Sequence, residues 1–270
     1  MPSQRYTIEN VNGSKNTRME MDKSFLDFDF RKDEVQHIAR YMNSARTMVD
    51  LSKKLGRPIR VLDIGCGEMN TVRLFYRSII EKKSDIIESY TGIDIDYKMA
   101  EKAVEKYGRC YDKCNAKIVI KDLTVDPRLD VEDNYYDLII CFEFLEHIKT
   151  EFTPYILEEA YRVLNPDGKA LFSTPNSNGS SSKLPVDHIY EYSYEELINL
   201  FERAGFKVDD TVGVCVNISS IPAEEKEDWA EEIERIYKAF GYNSAFSSVA
   251  VAPLFSPRHC KNVVYHLSKM

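Results

Sequence analysis

A chain of 270 residues is long enough for one α/β domain with a sizeable core, or for such a domain with an added cap. Hydrophobic residues at 43% and charged residues at 30% are the balance of an ordinary globule and argue against a disordered chain. A formal net charge of -8 gives no general attraction to phosphate backbones, although a local basic groove would still provide one.

No apolar run reaches the length that crosses a bilayer, and the polar residues 1–21 lack the apolar region of a signal peptide. No membrane partner and a cytoplasmic setting are therefore expected. Of the six cysteines, Cys66 and Cys141 fall at buried strand ends, while Cys110 and Cys114 are a lone pair. Without a second pair, a zinc reading of Cys110 and Cys114 has little support, and a reducing compartment is the simplest setting.

In chain order, residues 1–30 are polar and then aromatic at Phe25, Phe28 and Phe30, which reads as an arm or lid. Val35, Ile38, Ala39, Met42, Ala45, Met48 and Val49 recur with helical spacing over 33–55, and Gly56 and Pro58 end that helix. A first core strand is expected over 59–64, followed by a glycine turn and a helix over 72–80. Then come a strand over 90–95, a helix over 97–107, and strands over 117–121 and 136–141. A helix over 153–164 runs into Asn165-Pro166-Asp167-Gly168, a strand over 169–173 follows, and 174–186 is loop. Ser193 is placed to cap a helix over 194–204 that Gly205 stops. Strands over 206–216 and 263–267 finish the chain, with an acidic amphipathic helix over 223–240 between them that carries Trp229.

Strands alternating with helices predict an α/β, Rossmann-like three-layer sandwich. The sheet should be mostly parallel and seven-stranded, ending irregularly at its last two strands. The expected divisions are an arm and helix over 1–55, a core over 56–216, a cap or lid over 217–258, and a final core strand over 259–270.

Val61-Leu62-Asp63-Ile64-Gly65-Cys66-Gly67 reads as a buried strand entering a glycine turn, and Gly92-Ile93-Asp94-Ile95-Asp96 follows one βαβ unit later. That order suits an adenosine-containing cofactor. A dinucleotide site wants a third glycine, which Gly65-Cys66-Gly67-Glu68-Met69-Asn70 lacks. Asp63 at the strand end would repel a pyrophosphate and suit a cationic amino-acid moiety, favouring S-adenosylmethionine over NAD. Asp94 has two oxygens for a vicinal diol; it could instead cap the helix that begins near Asp96, and Asp122 could cap a turn.

Over residues 59–206 the chain resembles the class I, seven-stranded S-adenosylmethionine-dependent methyltransferases. The resemblance implies that Gly65, Cys66 and Gly67 contact the methionine part of the cofactor, with Asp63 at its ammonium. It implies Asp94 and Ile95 at the ribose, Asp122 near the adenine amino group, and Leu123 on the ring. Cys141-Phe142-Glu143 matches the exit of the family's fourth strand, although the residue chemistry places Cys141 in the core.

Two segments face the acceptor. Glu143-Phe144-Leu145-Glu146-His147 sets two carboxylates and an imidazole on one face if Glu143 opens a helical turn, a reasonable divalent-metal half-site. Val186-Asp187-His188 offers a fourth ligand, with Asp187 or another group orienting the ring. Glu143, Glu146, His147 and His188 resemble the metal-binding set of the Hen1-type RNA 3′-terminal 2′-O-methyltransferases, with Mg, Mn or Zn as the implied ion. A Glu-x-x-Glu-His run also occurs in the ubiquinone-type O-methyltransferases. In the plainer alternative His147 is a general base or merely orients the acceptor, while Glu146 and His188 serve local structure.

The expected activity is O-methylation of a small or medium-sized hydroxyl-bearing substrate. RNA ribose methylation and a non-catalytic adenosyl-binding protein, its acceptor side blocked by Phe142, Phe144 or the C-terminal segment, stand as alternatives. His259 lies in a possible lid, whereas His37 and His266 read as structural.

Overall fold

The computed structural model describes residues 8–10, 33–72, 86–177, 184–242 and 244–270. A short strand β1 (Ile8–Asn10) is followed by helix α1 (Asp33–Leu55), β2 (Ile59–Ile64), β3 (Ile87–Asp94), α2 (Tyr97–Lys113) and β4 (Ala116–Ile120). Then come β5 (Tyr136–Phe142), α3 (Thr153–Val163), β6 (Leu164–Pro175), α4 (Tyr194–Arg203) and β7 (Phe206–Val216). Helices α5 (Ala223–Glu227), α6 (Ala230–Phe240) and α7 (Ala245–Val251) precede the last strand, β8 (Cys260–Lys269).

These strands form one sheet in the order β1-β4-β3-β2-β5-β6-β8-β7. Every pairing is parallel except those of β8, which runs antiparallel to both β6 and β7. The irregular finish thus takes the form of β8 inserted between its predecessors. Seven strands match the expectation, and the N-terminal arm adds β1 at the edge. The chain winds outward from β2 first toward β4 and then toward β6, so the carboxyl ends of β2 and β5 flank the switch point where such sheets bind ligands.

All seven residues of β5 are buried, as a strand covered on both faces requires. On one face Leu62, Ile139 and Phe172 pack with Ile156, Ala160 and Phe201 of α3 and α4. On the other, Val61, Ile140 and Leu171 pack with Met48 of α1 and Ala100 of α2. This alternation gives the three layers.

The departures from expectation have local causes. Helix α2 continues past residue 107 because Tyr111 is fully buried and its hydroxyl donates to the Glu68 carbonyl at 2.7 Å. Strand β6 starts at Leu164, which already pairs with Tyr136 before the register shifts. The acidic segment over 223–240 is two helices rather than one, broken at Trp229 (φ −120°, ψ 15°). The break turns Ile233 and Ile236 onto the core while Trp229 stays half-exposed. The expected helix over 72–80 lies outside the described residues beyond Val72, as do Phe25, Phe28, Phe30 and the serine-rich part of the loop over 178–183. Cys114 is buried, and the side chain of Cys110 is outside the described set. Among the described residues no helix is long and apolar enough to cross a membrane.

Candidate active site

The glycine turn is tied to the end of β3: the amides of Gly65 and Cys66 both donate to the Ile93 carbonyl, at 2.9 and 3.0 Å. Gly65 and Gly67 have φ of 68° and 51°, values that a side chain disfavours. A Cβ on Gly65 would stand 2.6 Å from the Phe144 ring, so the glycine also permits the close approach of the strand-exit loop.

The Asp94 carboxylate accepts from the amides of Gly67 and Asp96, each at 2.9 Å. Two of its roughly four acceptor positions are therefore taken by the loop, and the capacity left matches a vicinal diol. Capping of α2 falls to Asp96, whose side chain accepts from the Met99 amide at 3.0 Å. Asp63 is buried at the end of β2 and accepts from the Tyr90 hydroxyl at 2.5 Å. Burial pushes its carboxyl up to about 7; the Tyr90 hydrogen bond opposes this and nearby Asp94 adds to it. A cationic group beside Asp63 would restore the charged form.

Asp122 follows β4, and its Oδ1 accepts from the amide and hydroxyl of Thr124 at 2.9 and 2.6 Å. It therefore does build a turn, at the strand end where the cofactor's adenine was expected. Leu123 is buried beside it, Ile95 is partly exposed, and the Cys66 sulfur packs against Gly92. Cys141 has no exposed surface, so its side chain belongs to the core.

On the acceptor side the strand-exit residue Glu143 does not open the helical turn. It has a φ of 51°, and the turn, a short 3-10 helix, spans Leu145–His147. Glu146 is 1% exposed: Oε2 accepts from the Thr174 hydroxyl at 3.0 Å, and buried Oε1 has no hydrogen-bond partner. Burial, then the charge of Glu143, raises its carboxyl well above the usual range. His147 lies with Nε2 3.9 Å from that orphaned Oε1. Its Nδ1 is 2.9 Å from the Asp187 carbonyl, which only accepts, so Nδ1 carries the proton and Nε2 the lone pair of the neutral ring. His188 sits edge-to-face against it at 5.1 Å, with Nδ1 2.7 Å from the buried carboxylate of Glu191.

Glu146, His147 and His188 can each offer a ligand atom within 4.8 Å of the others. Asp187 thus orients His147 rather than His188, and Glu191 takes the orienting part at His188. Of the four residues expected to group, these three come together, and Glu143 is engaged elsewhere: Arg40 Nη1 lies 2.6 Å from its Oε1, with Ser173 Oγ at 3.2 Å and Asn262 Nδ2 3.0 Å from Oε2. Two imidazoles whose outer nitrogens are fixed, beside an unsatisfied buried carboxylate oxygen, fit a divalent cation.

Arg40, Asn262 and Glu191 were not anticipated. For Arg40 the available signal was an arginine set among the apolar positions of α1, where it is 2% exposed. His37, beside Arg40, stacks on Tyr41, and burial followed by the Arg40 charge lowers its imidazole to about 4. His259 pairs with Glu225 at 3.2 Å.

With this fold and site, the chain belongs to the methyltransferase-domain family, whose profile matches residues 30–211. It is 30% identical over 158 residues to the probable S-adenosylmethionine-dependent methyltransferase of Mycolicibacterium smegmatis, covering 57% of this chain and 54% of that protein. It is 27% identical over 128 residues to the ubiquinone biosynthesis O-methyltransferase of Yersinia enterocolitica, covering 47% of each. The matched region spans about half the length of these curated relatives. Among solved structures, the [4+2]-cyclase SpnF superposes with a TM-score of 0.54 at 19% identity, covering 83% of this chain and 80% of that one. That likeness shows the Rossmann-like fold, and the kinship to the ubiquinone biosynthesis O-methyltransferases is distant.

Proposed function

We propose that this methyltransferase transfers the methyl group of S-adenosylmethionine to a hydroxyl oxygen of a small or medium-sized acceptor, at the cluster of Glu146, His147 and His188. The observation that carries the reading is the grouping of two oriented imidazoles with a buried, unsatisfied carboxylate oxygen. It lies beyond the carboxyl end of β5, next to the glycine turn through the Phe144–Gly65 contact.

In this reading Asp63 meets the ammonium of the cofactor, Gly65, Cys66 and Gly67 its methionine chain, Asp94 and Ile95 the ribose, and Asp122 and Leu123 the adenine. Glu146, His147 and His188 would hold a divalent cation, and their mixed nitrogen and oxygen donors suit Zn or Mn better than Mg. Such an ion would supply Lewis acidity that makes the acceptor hydroxyl easier to deprotonate. The chain's own part is to orient the acceptor for in-line attack and to keep water out of the cleft; without an ion, Nε2 of His147 is the lone pair that would take the acceptor's proton. The segment over 217–258 serves as the cap over that cleft. The net charge of -8, with the Asp187 and Glu191 carboxylates beside the two histidines, favours a small molecule over an RNA backbone.

The test is transfer of radiolabelled methyl from S-adenosylmethionine to phenols, catechols and free nucleosides. Label should appear on a hydroxyl oxygen and fall about 100-fold or more in His147→Ala. Transfer to amines alone, or firm cofactor binding with no acceptor consumed, would count against it.

A further inference from the structure

We propose that Arg40 is a positioning residue that withholds Glu143 from the ligand set, so that the acceptor centre is a three-residue site with open positions. This deepens the functional reading above and rests on it. The Glu143 carboxylate is held from three separate elements: by an ion pair with Arg40 of α1 and by hydrogen bonds from Ser173 of β6 and Asn262 of β8. Its backbone, at a φ of 51° with the amide donating to the Ser173 carbonyl at 2.8 Å, fixes the direction in which the side chain leaves the strand.

Swinging that carboxylate toward Glu146 and the two histidines would strand the guanidinium of Arg40, 2% exposed, without its counter-ion. Arg40 thus makes a four-residue motif deliver three ligands. Closed four-ligand sites are structural, whereas a site with three protein ligands keeps room for an acceptor oxygen. Helix α1, which lies outside the glycine-turn core, thereby sets the coordination number of the centre.

The experiment is a cobalt(II) titration of the full chain, loaded with S-adenosylhomocysteine and followed by visible absorption. It compares wild type, Glu143→Gln, Arg40→Met, the double variant and His188→Ala. Glu143→Gln should bind cobalt as wild type does, while His188→Ala should weaken binding about 100-fold. Arg40→Met should tighten binding about tenfold and change the d–d spectrum as Glu143 joins the metal, both effects being lost in the double variant. The proposal is overturned if Glu143→Gln weakens binding as much as His188→Ala does, or if Arg40→Met leaves affinity and spectrum unchanged. Cobalt bound by Arg40→Met but not by wild type would uphold the withholding role while removing the metal from the proposed function. No binding by either protein would overturn both. Should Arg40→Met fail to fold, the comparison of Glu143→Gln with His188→Ala decides alone.

Discussion

Replacing Asp63 with Asn should change how stability depends on pH, because the Asp63 carboxyl is buried and raised to about 7. In the unfolded chain the same group ionises near its ordinary value of 3.8. Below that pH both states are protonated, and the contribution of Asp63 to stability is fully present. Between about 4 and 7 only the unfolded state releases its proton, so stability falls as pH rises through this window. A move from 3.8 to about 7 amounts to about 4 kcal/mol at about 1.4 kcal/mol per pH unit, as a ceiling. Asn keeps an oxygen for the Tyr90 hydroxyl but has no proton to lose. Urea unfolding of the cofactor-free protein at pH 4, 5, 6, 7 and 8 measures the effect. The wild type should lose up to about 4 kcal/mol more than Asp63→Asn across that range. Parallel stability curves would refute the reasoning. S-adenosylhomocysteine should bind the variant more weakly at pH 8, since a neutral amide cannot pair with its ammonium.

Gly65→Ala forces a side chain into left-handed backbone and against the Phe144 ring. It should cost about 1 to 2 kcal/mol in thermal denaturation and weaken S-adenosylhomocysteine binding in calorimetry. Glu191→Ala removes the carboxylate that orients His188 and should lower zinc affinity about 10- to 100-fold in a chelator competition assay, with cofactor binding unchanged. Asp137, fully buried, accepts from Arg57 at 2.8 and 2.7 Å and from the Arg60 amide at 2.9 Å, far from the acceptor cluster. Asp137→Asn should therefore destabilise by about 2 to 3 kcal/mol in urea without altering cofactor affinity.

Much of the scaffold was legible from local pattern. Helix α1 over Asp33–Leu55 and strands Ile59–Ile64 and Phe206–Val216 have the bounds that periodicity and the flanking glycine and proline imply. Ser193 caps α4 with Glu196 closing the capping box, a signal contained within four residues. The grouping of Glu146, His147 and His188 was legible because Glu146 and His147 share one turn. What was not legible depends on contacts between distant segments. Arg40 and Glu143 meet only because α1 lies across the carboxyl end of β5, and Asn262 arrives only when β8 inserts between β6 and β7. The positive φ of Glu143, which takes it out of the turn, has no residue-type signature, since glutamate rarely adopts it. Strand β1 has three residues and depends on its pairing with β4.

Calorimetric titration of S-adenosylhomocysteine into wild type, Asp94→Asn and His188→Ala tests the account most directly. It separates the cofactor end of the cleft from the acceptor cluster. One ligand should bind per chain, about 10- to 100-fold more weakly in Asp94→Asn and with unchanged affinity in His188→Ala. Absence of binding to the wild type, or equal affinity in Asp94→Asn, would contradict the placement of the cofactor on which everything else here depends.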